Sequence, residues 1–338
     1  MKEQSVAPDL KKLLELDHAE EVAKITERLR GVLRDHLRRR GLVVAMSGGI
    51  DSSVCAALSV AAIGKGRVFG LLLPERDSSS SSEDRGRLLA EHLGIDYLKV
   101  DIAPALEALG CYSWRDEAIR RVIPEYGDGW KNKIVIAGGA EGRVNFYKLV
   151  VEDPEGETTT KRLDLKSYLQ IVAATNFKQR VRKTLEYFHA DRLNYAVVGT
   201  PNRLEYDQGF FVKNGDGSAD VKPIAHLYKS QVYSLARHLE LPDEVCDTVP
   251  TTDTYSLAQG QDEFYFALPY AQMDLALLAY NEGVSPADAA AQMSLSAEDV
   301  EFVYRDIEAK RRTTAMLHWP GITLEKVDGP APPPFRST

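Results

Sequence analysis

Apolar and polar positions follow one another in two rhythms along this chain. Between Asp17 and Arg40, Val22, Ile25, Leu29, Val32, Leu33 and Leu37 recur at helical spacing. Asp17 and Glu20 are placed as a capping pair and Gly41 as a stop, so this stretch predicts an amphipathic helix. Short apolar runs follow from Leu42 to Ala45, Arg67 to Leu73, Ile95 to Ile102 and Tyr195 to Thr200, and each predicts a strand. Between the first two runs, Val54 to Val60 predicts a helix packed on the sheet; between the next two, Ser80-x-x-Glu83 reads as a capping box before a helix carrying Leu88, Leu89 and Leu93. Strands alternating with helices predict an α/β fold with a doubly wound, mostly parallel sheet and right-handed crossovers. Ligands on such sheets bind beyond the carboxyl ends of the strands.

Residues 110–170 break the rhythm. Turn signals at Gly127-Asp128-Gly129, Gly138-Gly139 and Asp153-Pro154-Glu155-Gly156 are flanked by Val144 to Val151 and Thr158 to Leu165. This predicts a protruding β-hairpin, read as an insertion in a domain spanning residues 1–325. Helical pattern resumes around Ala174 and runs to about Arg192. Residues 248–261, with Gly260 and many Ser, Thr and Gln side chains, read as a lid over the site. Residues 326–338 read as a flexible proline-rich tail.

Composition narrows the partners. The 338-residue chain has a formal charge of −8 and a pI near 5.5, which argues against a nucleic-acid surface. Arg38-Arg39-Arg40 reads as the solvated end of a helix rather than a phosphate site. Cys55, Cys111 and Cys246 lack CxxC spacing, so neither a disulfide framework nor a cysteine zinc site organises the fold. With no leader-like start and no apolar stretch long enough to cross a bilayer, the expected location is cytoplasmic, away from membranes.

The candidate chemistry centres on Ser47-Gly48-Gly49-Ile50-Asp51-Ser52-Ser53, between the first strand and its helix. Adjacent glycines and the unpaired N–H groups of a helix start form an anion cradle. Ser47, Ser52 and Ser53 add hydroxyls, and Asp51 beside a phosphate calls for a cation between them. The loop lacks the Lys-Ser/Thr end of a Walker motif and the three spaced glycines of a dinucleotide fingerprint. Further along, Glu205, Asp216 and Asp220 offer hard oxygen ligands of the kind Mg²⁺ takes, and Lys213 and Lys229 offer charges for phosphate.

Ser47 to Ser52 resembles the SGGxDS loop of the N-type ATP pyrophosphatases (PP-loop superfamily, with an adenine-nucleotide α-hydrolase-like fold). With Pro74 and Arg76, Asn176-x-Lys178-x-Arg180-x-Arg182, Gly199-Thr200, Glu205, Gly209-Phe210-Phe211-x-Lys213-x-Gly215-Asp216-Gly217-x-Ala219-Asp220, Leu227-x-Lys229-x-Gln231, Pro250-Thr251-x-Asp253, Gln261-Asp262-Glu263 and Lys310-Arg311-Arg312, the chain resembles the ammonia-dependent NAD synthetases. The resemblance implies a carbon–nitrogen ligase: ATP adenylates the carboxylate of deamido-NAD, and ammonia displaces AMP. It implies that Ser47, Gly48, Gly49, Asp51, Ser52, Ser53, Arg76, Thr200, Lys229 and Thr251 bind ATP, with Asp51, Lys229 and Thr251 catalytic. Asp51 and Glu205 would hold Mg²⁺, and Asn176, Arg180, Lys213 and Asp220 would line the dinucleotide site. It also implies a homodimer, with ammonia drawn from solution or from a separate glutaminase. Two competing readings keep another carboxylate as acceptor, or a nucleotide-binding regulator without turnover; intact Asp51, Glu205 and Lys229 speak against the regulator.

Overall fold

The computed structural model describes residues 8–137, 146–248, 255–257, 265, 266, 268–325 and 329. Four parallel strands form the central sheet in the order β3-β2-β1-β7: β1 is Leu42–Ala45, β2 Val68–Leu72, β3 Asp96–Lys99 and β7 Ala196–Val198. Leu42 is paired with Val68 on one side and with Ala196 on the other, so the carboxyl ends of β1, β2 and β7 lie side by side. Strand alternation sends successive residues to opposite faces. Leu42 and Val44 join a core with Val54, Leu58 and Leu235, whereas Val43 joins one with Leu71, Ile102, Ala174 and Val197. Helices therefore cover both faces. On the first are α2 (His18–Gly31), α3 (Ile50–Ile63), α4 (Ser80–Leu93) and α9 (Lys229–His238); on the second are α5 (Ala103–Ala108), α6 (Cys111–Arg120) and the long α7 (Leu165–Leu193). A short α1 (Leu10–Leu13) packs with the C-terminal helices, described below.

Local signals explain the boundaries. Asp17 caps α2 through the Glu20 N–H at 3.0 Å, and the helix then widens into a π-helical turn, Val32–Leu37, that ends at Arg38 in the left-handed region (φ 53°). The cap of α4 is Ser79, one residue before the expected capping box, and its side chain accepts from Ser82 N–H at 3.2 Å. Asp164 caps α7 on Ser167 N–H at 2.9 Å, about nine residues before the pattern predicts the helix. The early turns of α7 carry Tyr168, Val172 and Thr175 on a face turned to a cavity, so the sequence there lacks the apolar stripe of a simple core helix.

The expected hairpin exists as β5 (Phe146–Glu152) and β6 (Thr158–Arg162), and β4 (Lys131–Ala137) adds a third antiparallel strand, in the order β4-β5-β6. This sheet has its own core of Ile134, Leu149 and Val151 against Ile119, Ile123 and Ile171. The residues before it are not part of the protrusion: α6 packs along α7 and its Tyr112 belongs to the core of the main sheet. A further core joins α8 (Arg203–Gln208) with α11 (Tyr270–Asn281), α12 (Pro286–Met293) and α13 (Ala297–Thr314); α10 (Asp243–Cys246) packs by α3 and α9. All three cysteines are buried and unpaired. No helix among the described residues is long and apolar enough to cross a membrane. The expected lid falls outside the described residues except for Thr248 and residues 255–257, and so does the expected tail except for Gly329.

Candidate active site

A cavity of about 460 Å³ opens at the carboxyl ends of β1, β2 and β7. Its floor is the turn from β1 into α3. Gly48 has φ +74°, and a Cβ there would meet the Ser82 carbonyl oxygen at 2.2 Å, so this position requires glycine. The turn is also held by Arg85, a lining residue whose guanidinium donates to the Gly48 carbonyl at 3.0 Å. Inside, Ser47 Oγ accepts from Gly49 N–H at 3.3 Å and lies 3.1 Å from Ser52 Oγ. Ser47, Gly49, Asp51 and Ser52 line the cavity. Ser53 does not: it is fully buried, and its hydroxyl donates to the Gly49 carbonyl at 2.8 Å, one helical turn back.

Three elements bring charge to one point. Asp51 on the first turn of α3 is ion-paired with Lys229, the first residue of α9. Lys229 is buried, and its helix start is fixed from α11 by Asp274, which accepts from the N–H groups of Lys229 (3.2 Å) and Ser230 (2.7 Å). The second oxygen of Asp51 accepts from the Asn202 side-chain amide at 3.1 Å. Asn202 in turn caps α8: its Oδ1 accepts from Glu205 N–H at 3.2 Å, and Glu205 Oε2 accepts from Asn202 N–H at 3.1 Å. This reciprocal box carries Glu205 to the cavity wall just past β7.

The electrostatics follow from crowding. Burial, and then the neighbouring Asp51, push the Glu205 carboxyl up to about 8. Burial opposes the Lys229 ammonium, but Asp51 and Glu205 outweigh it and hold its pKa above the ordinary value. With Glu205 ionised, two carboxylates and one ammonium leave negative charge that a hard cation would satisfy. Among the described residues no group of three His, Cys, Asp or Glu side chains is gathered as a metal cage.

Other expected residues are distributed differently. Thr200 and Asn176 line the cavity. Arg76 lies over the Tyr112 ring at 3.8 Å and 3.6 Å from Glu107, on a separate cleft behind the loop. Arg180 and Lys213 are also outside the cavity: Arg180 donates to the Lys213 carbonyl at 3.2 Å, and Lys213 to the Met316 carbonyl at 2.8 Å. Asp220 accepts from Val197 N–H at 2.7 Å and braces β7. Asp216 does line the cavity, accepting from Val212 N–H at 2.7 Å, and burial raises its pKa. Arg311 makes a two-pronged pair with Asp207 at 2.6 and 2.7 Å, tying α13 to α8. Thr251 lies outside the described residues.

Sequence reasoning gave Asn202 no role and, on one face of α7, assigned only Asn176 to the site. The Asn-x-x-Glu spacing of Asn202 and Glu205 was the available signal for the first. Along α7, Tyr168, Val172, Thr175, Asn176, Gln179, Lys183 and Glu186 line the cavity at helical spacing. Lys183 and Glu186 are paired at 2.5 Å, and burial raises the Glu186 pKa.

Comparison with known proteins agrees with this architecture. The NAD synthase family model matches residues 21–121 and 149–314, leaving 122–148 unmatched between them. The NH(3)-dependent NAD(+) synthetase of Rhizobium meliloti (strain 1021) is 55% identical over 321 residues, covering 93% of this chain and 96% of its own length. That of Thermotoga maritima is 38% identical over 252 residues, covering 74% and 84% respectively. Among solved structures, an NMN synthetase from Francisella tularensis has a TM-score of 0.64 at 22% identity, covering 91% of this chain and 99% of that one. An NH3-dependent NAD synthetase from Campylobacter jejuni gives 0.60 at 21% identity, covering 92% and 100%. At those identities the structural likeness speaks for the fold, while the sequence matches speak for descent. The chain belongs to the NAD synthase family.

Proposed function

We propose that this protein is an ammonia-dependent NAD synthetase. It adenylates the carboxylate of deamido-NAD with ATP, releasing pyrophosphate, and ammonia then displaces AMP to form the amide. The observation that carries the reading is the meeting of Asp51, Lys229 and the Asn202–Glu205 box in one cavity with the Ser47–Ser52 turn. A carboxylate is a poor acyl donor because oxide would have to leave; attack on the α-phosphorus of ATP replaces oxide by AMP. The Ser47 and Ser52 hydroxyls and the Gly49 backbone bind the phosphates at the positive end of α3. Lys229 stabilises charge that develops on the transferring phosphoryl oxygens. Asp51 and Glu205 hold Mg²⁺, which supplies Lewis-acid polarisation of the phosphate oxygens. Asn202 fixes the rotamer of Asp51, and Thr200 contacts the nucleotide.

The protein works as a homodimer. Leu109, Trp114, Leu165 and Leu169, on or beside α5, α6 and α7, are 52–72% exposed, which supports an apolar interface on these helices. Light scattering of Leu169→Arg should show a monomer if that face is the interface; an unchanged dimer would place it elsewhere.

The deciding assay incubates the protein with ATP, Mg²⁺, ammonium and deamido-NAD and measures pyrophosphate and NAD together. Equimolar formation of both is the expected result. Pyrophosphate without NAD, or neither, would reject the acceptor.

A further inference from the structure

The three-stranded sheet reaches the cavity. Along β5, Tyr147, Leu149 and Val151 share one face by strand alternation; Leu149 and Val151 are fully buried in the small core, and Tyr147, at its end, is half-buried and lines the cavity. Its ring stacks on that of Tyr168, the first cavity-lining residue of α7, with centroids 4.1 Å apart and planes within 17°. Tyr255 completes this wall. It is held there by β4: Ser256 Oγ accepts from Asn132 N–H at 2.8 Å, and Leu257 N–H donates to the Asn132 carbonyl at 3.2 Å. Tyr147 and β4 lie within residues 122–148, the stretch the family model does not match. The wall thus joins Tyr147, outside the family-model match, to Tyr168 and Tyr255 inside it.

Position separates the wall from the ATP end. Tyr168 and Glu186 both line the cavity from α7, and eighteen residues of helix rise place them roughly 27 Å apart along its axis. The Arg182 end of α7 touches the loop after β2 that borders the phosphate turn, with Arg182 donating to the Leu73 carbonyl at 3.1 Å. Tyr168 is at the other end, beyond Asn176. Resting on the acceptor reading above, the geometry points to the Tyr147–Tyr168 pair as a stacking platform for a planar heteroaromatic ring of the acceptor, making Tyr147 a specificity-determining residue. An aromatic face binds any flat base or pyridine ring without asking for hydrogen bonds, so the platform selects acceptors by reach and flatness.

The test measures KM for deamido-NAD and for ATP separately in wild type, Tyr147→Leu, Tyr147→Phe and Val151→Ala, with melting temperatures. Tyr147→Leu should raise the deamido-NAD KM about tenfold while the ATP KM moves less than twofold, and Tyr147→Phe, which keeps the ring, should restore the wild-type value. Repeating the series with nicotinate mononucleotide identifies the ring: an equal loss assigns the pyridine, and a loss confined to the dinucleotide assigns the distal adenine. A rise in the ATP KM alone would overturn the proposal, because the platform would then serve the adenine of ATP. Val151 packs the same sheet without touching the cavity. If Val151→Ala, at a matched loss of melting temperature, raises the acceptor KM as much as Tyr147→Leu does, the pair is only packing and the proposal fails. Wild-type protein that makes no NAD overturns the acceptor reading itself; wild-type protein that does, with Tyr147→Leu indistinguishable from it, overturns the platform alone.

Discussion

Asp51 does two things at once: it neutralises the buried Lys229 and lines the cavity proposed to take the phosphates. Asp51→Asn keeps the shape and the amide of Asn202 close by, and loss of the Asp51 charge favours ionised Glu205 as the partner of Lys229, so the fold should survive. Pyrophosphate release should fall by roughly 10²–10³, the scale lost when one electrostatic partner of a developing charge is removed. Near-normal release would show that Asp51 is not at the reacting phosphate. Glu205 gives a sharper test through pH. Its carboxyl titrates at about 8 in the folded protein against an ordinary 4.5. Between those values the folded state holds a proton that the unfolded state has lost, so the contribution of Glu205 to stability is full below about 4.5 and is lost as pH rises towards 8. Glu205→Gln has no such proton. A melting-temperature difference between wild type and Glu205→Gln that stays flat from pH 5 to 8 would contradict the shift; it should instead move steadily against the wild type.

The turn between β1 and α3 shows how one element divides its serines. Ser47 and Ser52 face the cavity, whereas Ser53 spends its hydroxyl on the Gly49 carbonyl inside the protein. Ser53→Ala should cost about 1 kcal/mol of stability, the net value of a single hydrogen bond, and leave the KM for ATP unchanged. A large rise in that KM would return Ser53 to the nucleotide site. The serine-rich motif was legible because glycine, strand and helix signals agreed, but a repeated residue type does not say which copy faces inward. Helical phase and the buried side of α3 decide that. Arg76 makes the same point. The resemblance implies that Arg76 binds ATP, yet it stacks on Tyr112, outside the cavity, because α6 supplies an aromatic face and the carboxylates of Glu107 and Asp116 lie alongside.

Across the molecule, the walls of the cavity are pinned by a buried ionic cluster. Lys178 on α7 donates to Glu75 at 3.0 Å and to Asp77 at 2.6 Å on the loop after β2, and Arg115 of α6 reaches Asp77 at 2.6 Å. Tyr112 donates to Glu75 at 2.7 Å. Lys178→Met would leave two carboxylates buried beside one arginine, and breaking such a cluster from one side costs about 3–5 kcal/mol. A urea midpoint within error of the wild type would show that the cluster relaxes into water. The parallel α/β core and its serine- and glycine-rich turn follow from the sequence alone. Apolar runs, glycines and helix starts are local signals, and their spacing already states strand, turn and crossover. The Asn176 and Thr200 assignments came through the family resemblance; in the fold Thr200 follows β7, Asn176 stands within α7, and both line the cavity. The third antiparallel strand was missed because Lys131–Ala137 reads as three polar residues followed by four apolar ones, without the alternation that marks a half-buried strand, and its pairing with β5 is non-local. The same is true of the site's finer structure. That Asn202 grips Asp51 across 151 positions, that Lys229 closes on Asp51 across 178, and that Tyr147 meets Tyr168 at the cavity's far end are decisions of tertiary packing. Side chains distant in the chain acquire partners only when the helices and sheets that carry them have been set against one another.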